Sequence, residues 1–267
     1  MPALEAATEE TVSYTTMLMV HPAWHVLSRL GEAQILLPLF ALASGWLWRR
    51  EPWSPVLRDW WLSLGAVTLL TTASKIAFLG FGWGIASLDF TGFSGHSMFS
   101  AAILPVLGGL ALHVRGRAGL GVMAGWALAL AVAVSRVKVS AHSPSEALSG
   151  LLLGSMTSAW TLRRRRLDRL SIPHWMSALA LAVLLSMPWV APPSRTHDWV
   201  TRLSLALSGR SRPYTRADLH RKPAAFPSNQ QRGAVLDFLH HGVGPCFAHA
   251  GQGPDHVADE LPVGAHV

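Results

Sequence analysis

The chain alternates long apolar runs with short polar breaks, and the runs have the length of helices rather than strands. A helix that crosses a bilayer needs roughly 20 mostly apolar residues, and six segments come near that length: about 31–48, 60–81, 97–114, 118–134, 146–162 and 173–191. Residues 12–29 mix apolar groups with His21, His25 and Arg29, which suits a helix lying in the membrane interface better than one crossing it. After the last run, residues 192–216 alternate arginines with apolar residues and fit a surface segment. From 217 to 267, Pro, Gly, His, Asn and Gln accumulate without sustained periodicity, so a mostly disordered tail is expected. The pattern predicts an all-α, polytopic membrane protein in three parts: an N-terminal segment 1–29, a transmembrane bundle of about six helices over 30–216, and a tail 217–267.

Composition sharpens this picture. Half of the 267 residues are hydrophobic and only 14% are charged, a balance that makes the lipid bilayer the expected partner. Several tryptophans, among them Trp46, Trp48, Trp60, Trp61, Trp83, Trp175 and Trp189, stand near the ends of apolar runs, where rings anchor at bilayer interfaces. A net charge of +7 raises the question of nucleic acid, but the arginines sit in short loops between apolar runs, and no nucleic-acid partner is expected. The single cysteine, Cys246, permits neither an internal disulfide nor a multi-thiolate metal site. The acidic start (Glu5, Glu9, Glu10) lacks the basic region of a cleavable signal peptide, so no cleavage is expected.

Orientation follows from the arginines. Arg49, Arg50 and Arg58 follow the first span, Arg115 and Arg117 the third, and Arg163 to Arg166 with Arg169 the fifth; the positive-inside rule assigns these loops to the cytoplasm. The loops after spans two and four then share the outer face. The basic stretch after span six (Arg195, Arg202, Arg210, Arg212, Arg216) runs against the rule in this topology.

The two outward loops carry the chemistry. Ser143-Pro144-Ser145-Glu146 reads as a helix start, with Ser143 as N-cap, Pro144 at the first helical position and Glu146 closing a capping box. His142 therefore precedes a helix N-terminus, whose unpaired N–H groups suit an anion. Arg136 adds a planar guanidinium that matches phosphate oxygens. In Phe93-Ser94-Gly95-His96, Gly95 lets backbone approach a ligand just before the third span. Together these groups outline a phosphate cradle with two imidazoles. Blander readings stand beside it: Glu146 as a cap alone, His96 and His142 as interfacial side chains, and Lys75 as a lysine snorkelling to the interface. Gly150 and Gly154 form a GxxxG suited to helix packing, and tail histidines such as His240, His241 and His249 lack a partner pattern.

These residues resemble the PAP2 superfamily, the type 2 phosphatidic acid phosphatases, whose signature is KxxxxxxRP, then PSGH, then SRxxxxxHxxxD. Ser135, Arg136 and His142 match the third element, with Glu146 where the family has aspartate; Ser94, Gly95 and His96 match the second, with Phe93 in place of proline. From the first element Lys75 is present, while Gly82 and Trp83 occupy the Arg and Pro positions. The resemblance covers roughly residues 25–215. It implies a metal-independent, cofactor-free phosphatase of a bacterial inner membrane, acting on a lipid phosphate or diphosphate at the periplasmic or outer face through a phosphohistidine. By that carry-over His142 is the nucleophile, Glu146 orients it, His96 protonates the leaving group, and Lys75, Arg136 and the Ser94–Gly95 backbone hold the phosphoryl oxygens. Lys138, within the third element, is a candidate substitute for the missing arginine, against the alternative of a solvated lysine. A non-catalytic relative that binds or moves phospholipid is the competing function.

Overall fold

A computed structural model of the chain describes residues 22–52, 54–113, 116–163, 172–192 and 194–221. Among these the backbone is helical, relieved by one isolated antiparallel bridge between Ile85 and Phe90. The helices are α1 (22–29), α2 (Ala33–Arg50), α3 (Pro55–Phe81), α4 (Gly95–His113), α5 (Ala118–Lys138), α6 (Pro144–Leu162), α7 (His174–Val190), α8 (Thr196–Ser208) and α9 (Arg216–His220). The six apolar runs are α2 to α7. The largest displacement is at α3, which starts at Pro55 rather than 60 because Ser54 caps it and Pro55 occupies its first position,.

Four stretches, Pro22–Arg50, α3, α4 and α5, are long and apolar enough to cross a membrane by length and composition. The other two fall short of that measure. α6 has 19 residues but buries Glu146, Thr157, Ser158 and Thr161, and α7 has 17 residues, about 26 Å of helix.

α4 is the central element, buried along nearly its whole length from Ser97 to Leu110. Its neighbours reach it through glycine. A Cβ on Gly150 would lie 2.4 Å from the Ser94 carbonyl oxygen, and one on Gly154 would lie 2.2 Å from that of Met98. No larger residue permits this approach of α6, so the GxxxG is a packing device, as its spacing predicts. On the other side, buried Trp60 of α3 donates its Nε1–H to the Ala102 carbonyl at 3.1 Å and meets Phe40 of α2 edge-on at 4.7 Å. Around this core Leu62, Leu69, Leu120, Met123, Leu152, Met156 and Leu185 remain exposed, an apolar periphery suited to hydrocarbon.

The helix ends sort into two faces. On one, Arg58 and Arg163 both pair with buried Asp59, at 3.2 and 3.6 Å, and Arg50 stacks over Trp46. The opposite face gathers the loop 82–94, the turn 139–143, and the break between α1 and α2. Both histidine loops therefore share a face, and Arg50, Arg58 and Arg163 lie at the other.

The termini of the described chain also converge on the histidine face. α1 tightens at residues 30–32 into i→i−3 bonds, Gly31 N–H to Ser28 and Glu32 N–H to Arg29, before α2 begins. Arg29 donates to the Pro188 carbonyl at 2.6 Å and to that of Ala191, tying α1 to the end of α7. α8 presses Ser204 against Gly80 of α3, leaving Trp199, Leu203 and Leu207 exposed. The compact unit runs to Arg221, with α9 as its last described helix. Residues 12–21 of the expected interfacial helix and the tail from 222 lie outside the described residues.

Candidate active site

The site is organised by one carboxylate. At the start of α6 the capping box forms as read from sequence: Ser143 Oγ accepts from the Glu146 N–H, and Glu146 Oε2 accepts from the Ser143 N–H at 3.2 Å. The same Oε2 accepts from His142 Nδ1 at 2.7 Å and from Arg216 Nη2 at 2.9 Å. Oε1 accepts from the Thr91 N–H at 2.7 Å and from the Thr91 hydroxyl. Capping and orienting a histidine, which from sequence were alternatives for Glu146, are here two uses of one fully buried group. Because an ionised carboxylate only accepts, His142 carries its proton on Nδ1, which leaves the Nε2 lone pair available.

His142 is held by the end of α5. Ser140 turns through a left-handed φ of 55°, and the N–H groups of Ala141 and His142 both donate to the Arg136 carbonyl, at 3.0 and 3.2 Å. His96, the second residue of α4, is pinned from the other side by the α1–α2 break: a Cβ on Gly31 would sit 2.9 Å from the His96 Cβ, so that approach requires glycine.

Lys75, His96, Arg136, His142, Glu146 and Arg216 line one cavity of about 400 Å³. Two of its cations, Arg136 and Lys75, are poorly compensated. Arg136 donates Nη1–H to Ser28 at 2.6 Å, but its buried Nε has no partner, nor does the buried hydroxyl of Thr71 in the same wall. Among the described residues no carboxylate lies within ion-pair distance of Lys75. Orphaned buried donors of this kind are costly unless a polar ligand meets them. Burial keeps the His142 imidazole below its ordinary value; its bond to Glu146 opposes this, and Lys75 and Arg136 reinforce it.

Of the residues expected at the site, Lys75, Gly95, His96, Arg136, His142 and Glu146 line the cavity. Two do not. Ser94 is buried, with its N–H committed to the Glu146 carbonyl at 3.1 Å and its hydroxyl to Ser97; it braces α4 against α6 and has no amide to offer a phosphate. Lys138 is exposed and stands outside the cavity. The physical reason is that α5 stays helical through Lys138, so two positions on from Arg136 the chain points to the opposite side.

The sequence reading missed a second set. Thr91 reaches Glu146 from 55 positions away and Arg216 from 70. His197 of α8 also lines the cavity; burial lowers its affinity for a proton, as does Lys75, against Asp198. For Arg216 the available signal was the anomaly itself, an arginine on the face that the positive-inside rule disfavours. Burial works against its charge, but Glu146 and Asp89 outweigh this and raise its proton affinity. Asp89 accepts from Arg216 through both its carbonyl, at 2.9 Å, and its carboxylate. His220 bonds the other carboxylate oxygen at 2.7 Å, and with Arg216 this holds Asp89 below the usual carboxylate range. Among the described residues no group of three His, Cys, Asp or Glu side chains is arranged to hold a metal.

Comparison with known proteins agrees with this geometry. The family model described as the PAP2 superfamily matches residues 13–169, a span that holds Lys75, both histidines, Arg136 and Glu146. A Klebsiella pneumoniae protein described as an uncharacterized 22.5 kDa protein in the cps region is 35% identical over 206 residues, covering 74% of this chain and 98% of the relative. No solved structure matches the chain.

Proposed function

Because the chain belongs to the PAP2 superfamily, a membrane phosphatase family, we propose that it hydrolyses a lipid phosphate or diphosphate through a phosphohistidine. The observation that carries this reading is the His142–Glu146 pair at 2.7 Å inside a cavity that also holds Lys75, His96 and Arg136.

In the first step the His142 Nε2 lone pair forms a bond to phosphorus while the bond from phosphorus to the lipid oxygen breaks. His96, as the imidazolium, gives its proton to the leaving oxygen, an alkoxide from a monoester or a lipid monophosphate from a diphosphate. Glu146 meets the positive charge that develops on the His142 ring, and Lys75 and Arg136 meet the charge on the equatorial oxygens. In the second step neutral His96 takes a proton from water as its oxygen attacks phosphorus; the N–P bond breaks and inorganic phosphate leaves.

The lipid character of the substrate has separate support. A groove of about 570 Å³, bounded by Leu37, Thr68, Phe99, Trp199 and Val200, shares Thr71, Thr72 and Phe99 with the cavity. Its apolar walls open between α2 and α8 and suit a hydrocarbon tail whose head lies at His142. By the arginine distribution the head enters from the outer face.

The test is phosphate release by the purified protein in detergent from phosphatidate, phosphatidylglycerophosphate, polyprenyl diphosphate and sphingoid phosphates. Turnover of at least one, lost in His142→Ala, is expected. A folded protein that binds these lipids and releases no phosphate from any of them would replace the phosphatase reading with that of a non-catalytic lipid-binding relative.

A further inference from the structure

We infer that Arg216 is a positioning residue for the nucleophile: delivered by α9 from the C-terminal segment, its guanidinium holds Glu146 and supplies the third positive charge of the cavity. This deepens the phosphatase reading and rests on it for its catalytic meaning.

Three observations converge on Arg216. Its Nη2 and the His142 Nδ1 bond the same oxygen of Glu146, at 2.9 and 2.7 Å, so the guanidinium and the imidazole are neighbours around one carboxylate. Its Nη1 is clasped by the Asp89 carbonyl and carboxylate, made possible by the left-handed turn at Asp89, φ 48°. Its helix is anchored independently of this pair: the Tyr214 N–H donates to the Leu79 carbonyl at 2.9 Å, Thr215 and Asp218 form a capping box, and His220 bonds Asp89. The segment also fills the space where the missing first-motif side chain would have stood. Gly82 has a φ of +74°, and a Cβ there would lie 3.1 Å from the Tyr214 ring. A guanidinium absent from α3 is thus matched by one that the C-terminal segment brings in.

The consequence concerns the protonation of His142. Charged and titratable groups face it from every surrounding element: Lys75 on α3, Asp89 in the loop, His96 on α4, Arg136 on α5 with Glu32 behind it, Glu146 on α6, His197 on α8 and Arg216 on α9. Glu146 favours the imidazolium, and Arg216 offsets that pull. With Arg216 in place Glu146 can fix the tautomer without holding a second proton on the ring, and the nucleophile stays neutral.

The experiment is an NMR titration of His142 in full-length protein in detergent, its signal identified by loss in His142→Asn, with phosphate release measured alongside. Arg216→Ala should raise the His142 midpoint by about one pH unit, the effect expected when a unit charge roughly 5 Å away is removed from a partly solvated site. Arg216→Gln, which keeps a donor but no charge, should do the same, so misfolding of one variant leaves the other. Arg216→Lys should return the midpoint toward wild type, and His220→Ala, which loosens α9 without removing the charge, should leave it in place. Turnover should fall on the order of 10- to 1,000-fold in Arg216→Ala and recover in part in Arg216→Lys. An unchanged His142 midpoint in both neutral variants, or an equal shift in His220→Ala, would overturn the inference. The titration needs no turnover, so a wild type inactive on every lipid would count against the phosphatase reading alone.

Discussion

His142 Nδ1 and Glu146 Oε2 lie 2.7 Å apart, one helical turn along the chain, and that oxygen is shared with the Ser143 amide and Arg216. Glu146, which stands where the family pattern has aspartate, reaches the His142 ring because the capping geometry pulls its longer side chain back toward the N-terminus of α6. The extra methylene is taken up by the cap.

This pairing makes the first prediction. His142→Ala should lose phosphate release by on the order of 10⁴-fold or more, as when a nucleophile is removed. Glu146→Gln should lose roughly 10²- to 10⁴-fold, since an amide can present its N–H to the ring and favour the wrong tautomer. Both should elute as the parent does on size exclusion in detergent. Turnover within tenfold of wild type in His142→Ala would remove it from the mechanism.

His96→Ala should discriminate by leaving group. Loss should be roughly 10²- to 10⁴-fold for alkyl phosphate monoesters, the usual contribution of a general acid, and much smaller for p-nitrophenyl phosphate, whose phenolate leaves without a proton. Equal losses on the two substrates would mean that His96 does not protonate the leaving oxygen.

The pH profile follows from the depressed proton affinity of His142, caused by burial and by Lys75 and Arg136 against the bond to Glu146. In the proposed mechanism His142 attacks as the neutral ring, and a lowered midpoint keeps it neutral at lower pH. The acid limb of kcat/KM, corrected for substrate ionisation, should therefore fall below the ordinary imidazole value of about 6.5. A limb lying above that value would contradict the assignment.

The cations should separate by position. Lys75→Ala and Arg136→Ala should each cost on the order of 10- to 1,000-fold in turnover, whereas Lys138→Ala, exposed and outside the cavity, should remain within about twofold. Gly82→Arg should fail to add a useful charge. Its φ of +74° and the Tyr214 ring 3.1 Å from a Cβ should instead destabilise the protein by about 1–3 kcal/mol, read as a lower melting temperature. A gain of activity in Gly82→Arg would show that α9 yields the space readily.

Sidedness can be read with an impermeant maleimide on intact cells, using single cysteines at Leu88 and Glu51 in a Cys246→Ser background. Both positions are exposed and lie on opposite faces. Leu88→Cys should label and Glu51→Cys should not; the reverse would move the site to the cytoplasmic face.

What the sequence determined by itself was everything carried by local period and local capping. Apolar runs of the right length marked α2 to α7, because a helix that faces lipid must satisfy its backbone internally and so announces itself by composition. Ser143-Pro144-Ser145-Glu146 specified the start of α6 within four residues, and the arginine count grouped the two histidine loops before any contact was known. The tertiary structure alone decided which cations face the cavity. Lys138 fell outside because α5 kept its helical pitch to the last turn, and the Ser94 amide was already taken by the Glu146 carbonyl. Thr91 and Arg216 reached Glu146 from 55 and 70 positions away, distances over which no periodicity connects residues. Arg216 came in on a short helix positioned by Gly82, Leu79 and Asp89. The sequence could show that an arginine was missing from α3; where its charge had gone depended on packing between segments.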